Sequence, residues 1–252
     1  MSQSSRFGYS RGDTVAAIRD YYQFITSLYL PETFVIEPPE GGWPSITQES
    51  MNDVGKTEEV IALLRHLPYI YYAQEAHGAA NCVFADWSAY HLRGEDARIL
   101  TEGSDYESVP PHIVGLTCGG RDNPVYLLDT KIGVVYWLDC PGSLRSEPTR
   151  QQAFFNLEED RPEEDVWRGN AGAWEIKDFF ELLKDEFRSL HFIPISSVAV
   201  IDTYATFSQR KQGQIPMVQE ILRSYGWPDT TRYNKREALE QVKKAVREHY
   251  SN

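Results

Sequence analysis

Three aspartates each stand at or near the end of an apolar run: Asp86 after Val83-Phe84-Ala85, Asp129 after Val125-Tyr126-Leu127-Leu128, and Asp202 after the stretch from Phe192 to Ile201. Carboxylates projecting from strand ends can do acid–base or metal chemistry if the fold pairs them. The same residues also cap turns by accepting from nearby backbone amides. Gly55-Lys56-Thr57 has the end of a phosphate loop, but that motif needs a glycine five residues before Gly55, and position 50 is Ser50. Thr57 is more simply a helix cap. Of the six histidines, only His77 with Cys82 and His112 with Cys118 come near a second soft ligand, and neither spacing suits a metal. No Gly-x-Ser-x-Gly elbow is present, and Gly142-Ser143 reads as a turn. No metal or cofactor is expected, and the residue pattern leans away from an enzyme.

The unexplained surplus is aromatic. Trp43, Tyr69, Tyr71, Tyr72 and Trp87 lie in or beside loops. Rings with an apolar body and a polar tip serve either core packing or a partner-binding groove. Both readings stand at this point, and the five residues are the candidate partner-binding set.

Elements must position these groups. Val15, Ile18, Tyr22, Ile25 and Tyr29 recur at helical spacing, which predicts a helix from Asp13-Thr14 to Leu30, where Pro31 stops it. Residues 1–12 are expected to be a flexible N-terminus. The Glu37-Pro38-Pro39-Glu40-Gly41-Gly42-Trp43-Pro44 connector follows. Two short helices are then predicted, one opened by Thr47 and one by Thr57. From residue 69 the pattern turns to strands. His112–Thr117, Val125–Asp129 and Val134–Leu138 predict an antiparallel meander, with Thr130-Lys131-Ile132-Gly133 as a hairpin connection. A helix over 174–190 carries Ile176, Phe179, Phe180, Leu183 and Phe187 on one side, and Phe192–Ile201 is one more strand. Helices from Pro216 to Tyr225 and from Lys235 to Tyr250 close the chain. Helices, then strands, then helices predict an α+β fold: an antiparallel β-sheet meander flanked by helices, with extra C-terminal helices.

Charge narrows the partners. With 25 basic against 37 acidic side chains in 252 residues, the net charge is −12. That argues against nucleic acid, which needs a clustered basic face, and against an anionic membrane surface. Leu157 to Asp165 holds six acids and one arginine and reads as a solvated loop. Three cysteines without paired spacing fit a reducing compartment, and no apolar leader or membrane span is visible, so a cytoplasmic or nuclear location is expected.

The order of motifs resembles the SUKH superfamily, which contains fungal Smi/Knr-type cell-wall regulators and bacterial immunity proteins. The resemblance rests on the leading helix ending in Leu30-Pro31-Glu32, the Gly41-Gly42-Trp43 loop, the Gly119-Gly120 turn, and Val125-Tyr126-Leu127-Leu128-Asp129. It continues through Gly133-Val134-Val135-Tyr136-Trp137 and Phe179-Phe180-Glu181-Leu182-Leu183, and Leu63 to Tyr69 also looks like fungal proteins of this type. It implies a SUKH-like α+β domain over 13–195, with 196–252 as a strand-plus-helices extension packed on it. It further implies a non-catalytic intracellular module that binds a protein, for which an acidic chain suits a basic partner. The long insert between Asp86 and Pro111 and the segment after Ile195 depart from the pattern. The alternative is a small-molecule-binding protein or enzyme with a pocket near Asp86, Trp87 and Asp129.

Overall fold

The computed structural model describes residues 8–104, 106–119, 123–146, 168, 171–204 and 209–250. The expected acidic loop at 157–165 lies outside them. Among the described residues there are seven α-helices and ten short strands, arranged as α+β. No described helix is long and apolar enough to cross a membrane.

Helix α1 spans Arg11–Leu28 and starts two residues earlier than expected, because the Ser10 hydroxyl rather than Asp13 caps it, accepting from the Asp13 amide at 3.3 Å. Residues 8–12 therefore belong to the folded chain: Gly133 is packed against Gly8 and Tyr9, and Arg11 makes a forked pair with Glu59 at 3.0 and 3.2 Å. The buried face of α1 is Thr14, Ile18, Tyr21, Tyr22, Ile25 and Leu28. Its last turn has no basic residue of its own. Lys235, far along the chain, donates to the Thr26 and Leu30 carbonyls at 2.7 and 2.6 Å and so satisfies the helix end.

Helix α2 (Glu58–Leu64) is capped by Thr57, which accepts from the Val60 amide, as its sequence position suggests. The helix expected at Thr47 does not form. Thr47 and Ser50 do exchange capping bonds at 2.9 and 3.1 Å, but the chain then makes a 3-10 turn at Asn52–Val54 and leaves it through Gly55 in the left-handed region. Lys56 turns inward instead of toward a ligand. Its ammonium meets the Glu102 carboxylate at 2.5 Å with both side chains fully buried, and Arg98 reaches the second oxygen at 3.1 Å. This pair ties the Asn52–Val54 turn to helix α3 (Gly94–Glu102), an element the sequence pattern left unassigned.

Strands β1 (Val35–Ile36) and β2 (Tyr69–Ile70) pair antiparallel, as do β3 (His77–Ala79) and β4 (Cys82–Val83). The expected meander is present as β5 (Ile113–Gly115), β6 (Tyr126–Asp129) and β7 (Val134–Trp137), and β8 (Gly172–Glu175) adds a fourth strand. Trp174 thus sits in a strand, and the long helix, α5, spans Ile176–Arg188 after it. Single alternation splits the sheet. Val114, Tyr126, Leu128, Val135, Trp137 and Trp174 face the main core, while Ile113, Leu127, Val134, Tyr136 and Ala173 form a second, smaller cluster.

Helix α5 covers the inner face with Phe179, Phe180, Leu183 and Phe187. Phe179 meets Tyr126 edge-on at 5.0 Å, and Phe180 and Phe187 meet Tyr21 and Tyr29 of and beside α1 at 5.3 and 5.4 Å. Lys184, almost fully buried, pairs with Asp20 and Glu181 and so joins the two helices by charge as well. The expected single strand at 192–201 is a hairpin, β9 (Phe192–Pro194) and β10 (Val200–Asp202), because the Ser196 hydroxyl accepts from the Val198 and Ala199 amides and closes a turn. A short helix α4 (Gly142–Arg145) follows β7. Helices α6 (Gln209–Ser224) and α7 (Lys235–Tyr250) end the fold, with Pro216 inside α6 rather than at its start. Val218, Leu222, Trp227, Ala238 and Val242 join the main core cluster, and the Trp227 indole donates to the Phe187 carbonyl at 2.8 Å.

One close approach makes a sharp test. A side-chain carbon at Gly115 would stand 2.1 Å from the Thr101 carbonyl, a backbone atom that cannot swing away, whereas Gly12 in α1 has nothing within 4 Å. Gly115→Ala is expected to destabilise by about 3 kcal/mol through overpacking, and Gly12→Ala to be neutral or stabilising by up to about 1 kcal/mol. Thermal denaturation reads both, at about 2–4 °C per kcal/mol for a chain of this size.

Candidate functional site

The five aromatic candidates divide into a foundation and a presented surface. Tyr69 and Trp87 are each 1% exposed and belong to the core. The Tyr69 hydroxyl donates to the Leu64 carbonyl, and the Trp87 indole donates to the Gly115 carbonyl at 3.0 Å. Trp43 is half-buried. Its amide and indole donate to the Arg65 and Leu67 carbonyls, both at 2.8 Å, and its ring packs on Tyr69 at 5.9 Å. Gly42 allows this docking, since a side-chain carbon there would lie 2.6 Å from the Arg65 carbonyl oxygen. Burial of large rings with satisfied polar tips is a packing role, which Tyr69 and Trp87 fill completely and Trp43 in part.

Tyr71 and Tyr72 do face outward, at 40% and 44% exposure. They meet each other edge-on at 5.2 Å, and Tyr72 lies 4.7 Å from the His91 ring. Tyr90 is 92% exposed. His91 and Tyr90 were not among the sequence candidates. The available signal was their place, in a polar loop four and three residues beyond Trp87, where an apolar ring has no strand or helix to bury it.

Asp86 holds the two segments together. It is 2% exposed, and its carboxylate accepts from the Tyr72 amide at 3.3 Å, the Ser88 amide at 3.1 Å and the Ser88 hydroxyl at 2.5 Å. Arg93 secures the far end of the loop, donating to the Trp87, Ala89 and Leu92 carbonyls and to Ser45. A carboxylate with its oxygens engaged in this way orders a loop.

The other strand-end aspartates act as caps at separate places. Asp129 lies opposite Ile113, accepts from the Lys131 amide at 2.8 Å, and faces His112 at 3.7 Å and Arg168 at 4.0 Å. Asp202 accepts from Asn81 and from the Tyr204 amide at 2.8 and 2.7 Å. The space beside Trp87 and Tyr69 is only about 10 Å³, too small for a ligand. Among the described residues no group of three or more His, Cys, Asp and Glu could hold a metal ion. Compared with protein-family models, with curated proteins and with solved structures, the chain matches none.

The three cysteines are free thiols. Burial pushes Cys140 up to about 12, Cys82 further, and Cys118 upward as well. A raised thiol pKa means less thiolate at neutral pH, hence low nucleophilicity. The native protein at pH 7.5 is expected to react slowly with a disulfide reagent, Cys118 first because it alone is half-exposed. All three should react at once in guanidinium. A fast native thiol would contradict this assignment.

Proposed function

We propose that this chain is a non-catalytic protein-interaction module of SUKH type that docks its partner on Tyr71, Tyr72, Tyr90 and His91. One observation carries the proposal: two consecutive tyrosines, packed on each other and on a histidine, are held outward by a buried carboxylate while the neighbouring large rings are inside. Tyrosines fixed in this way present contact area at little further entropic cost, which is what interface anchors require. The SUKH reading is supported by the element order: a leading helix, the Gly41-Gly42-Trp43 loop, the meander and a Phe-rich helix over it. The net charge of −12 suits a basic partner, and the free thiols suit a reducing compartment.

The test is capture from native lysate by tagged wild type, Tyr72→Ala, Tyr90→Ala and Trp87→Ala, at low and moderate salt. Wild type is expected to hold one stoichiometric protein that weakens with salt. Tyr72→Ala should lose capture by roughly thirtyfold, the scale of an anchor residue, with its melting temperature unchanged. Trp87→Ala should instead destabilise by about 3–5 kcal/mol. Equal capture by wild type, Tyr72→Ala and Tyr90→Ala would overturn the assignment.

A further inference from the structure

A cleft of about 590 Å³ opens where the end of α1, the turn between β9 and β10 and the start of α7 meet. That is the size of a small-molecule site, which spans about 300–1,000 Å³. Its described lining carries three cations, Arg232, Lys235 and Arg236, and no acid, although the whole chain has a net charge of −12. A local reversal of sign of this kind selects anions.

The cations have different duties. Lys235 is committed to the end of α1 through its bonds to the Thr26 and Leu30 carbonyls. Arg232 and Arg236 are exposed and make no ion pair among the described residues. The backbone that carries them is fixed: the Arg232 and Tyr233 amides donate to the Asp229 carbonyl at 3.0 and 2.8 Å, and the Asn234 amide donates to Tyr225 at 3.1 Å. The Asp229 carboxylate, the acid nearest to Arg232 in sequence, accepts from the Thr231 amide and hydroxyl at 3.0 and 2.7 Å and is not part of the lining. Two sets of donors remain. Asn234 caps α7 by accepting from the Glu237 amide at 3.3 Å, so the Lys235 and Arg236 amides at the start of this 16-residue helix have no partner among the described residues. Tyr233 lines the cleft, is only 9% exposed, and has a buried hydroxyl with no hydrogen-bond partner among the described residues. Its ring is held edge-on against Trp227 at 5.2 Å. Burial raises the Tyr233 pKa, so at neutral pH the hydroxyl keeps its proton and can donate. A buried donor without a partner is unfavourable, and a ligand oxygen satisfies it.

Guanidinium forks, the first amides of a helix and a neutral hydroxyl are the donors that a tetrahedral oxyanion takes. We infer that the cleft binds a phosphate monoester, held by Arg232 and Arg236 together with the start of α7 and the Tyr233 hydroxyl. A carboxylate brings two oxygens to such a site, whereas a phosphate monoester brings three and carries nearly two charges, which matches the surplus of donors. A free phosphate ester and a phosphorylated side chain of a polypeptide share this chemistry. The inference does not depend on the tyrosine surface, since the two sites use different residues.

The test is calorimetric titration of the full chain, in a buffer free of phosphate at physiological salt, with methyl phosphate, with an end-blocked pentapeptide containing one phosphoserine, and with the same peptide carrying serine. At least one phosphate ligand is expected to saturate a single site, with the serine peptide roughly tenfold weaker or absent. Arg232→Gln and Arg236→Gln, both at exposed positions, should fold normally and each weaken the phosphate ligand by roughly tenfold. Tyr233→Phe should melt no lower than wild type, since it removes an unpaired buried hydroxyl, and yet weaken binding by roughly threefold or more. Arg247→Gln, the same change of charge at the far end of α7, and Tyr72→Ala should leave binding unchanged. Tighter binding of the phosphopeptide than of methyl phosphate assigns the phosphate to a polypeptide, and equal or weaker binding assigns it to a free ester. The inference is overturned if no phosphate ligand saturates, if the serine peptide binds as well as the phosphopeptide, if Arg232→Gln and Arg236→Gln both bind like wild type, or if Arg247→Gln weakens binding as much as they do.

Discussion

Asp86 is the constraint on which the presented surface depends. Burying a carboxylate is costly unless its oxygens are hydrogen-bonded, and here three donors from two chain segments converge on it. One segment leaves β2 and carries Tyr71 and Tyr72; the other leaves the β4 region and carries Tyr90 and His91. Neither segment has a regular element long enough to fix it. The shared carboxylate does so instead, and Trp87, the residue after Asp86, anchors the same loop in the core through Gly115. The consequence is a division among neighbouring aromatics in which rings a few residues apart have opposite roles.

Two further core rings have polar tips satisfied in the same way. Tyr21 and Tyr29 are completely buried, yet their hydroxyls donate to the Gly78 and His77 carbonyls at 2.6 and 2.7 Å, so α1 is stitched to β3 by its own core rings. Lys235 does a comparable service at the end of α1, and Trp227 at the end of α5. The C-terminal helices therefore supply hydrogen-bond partners that the leading helix and α5 lack. They also extend the main apolar cluster without a break. Buried polar groups of this kind give one arrangement of the elements an advantage over others, because each alternative would strand a donor or acceptor.

Periodicity made the larger elements legible. The α1 stripe, the Thr57 cap and the three meander strands all follow from residue type and spacing. What escaped that reading turns on tertiary partners. Trp174 has the pattern of a helix residue but pairs opposite Val135, so the sheet claims it and α5 starts later. Thr47 has its capping partner in Ser50, yet the chain behind it turns instead of coiling. At the candidate site, composition marked the right cluster of aromatics but could not sort it. Tyr69 lies in β2 and Tyr71 just past its end, and it is Trp43 and α2, not local sequence, that cover Tyr69.

The central claim is that the Tyr71, Tyr72, Tyr90 and His91 surface is where a protein partner sits. Oxidative footprinting of the chain in native lysate against the purified chain tests it residue by residue. The account predicts that these four residues react in the purified chain and are protected in lysate, while Tyr21, Tyr29 and Tyr126, buried in both, stay unreactive. Four residues equally reactive in both samples, or protection confined to another face, would contradict it.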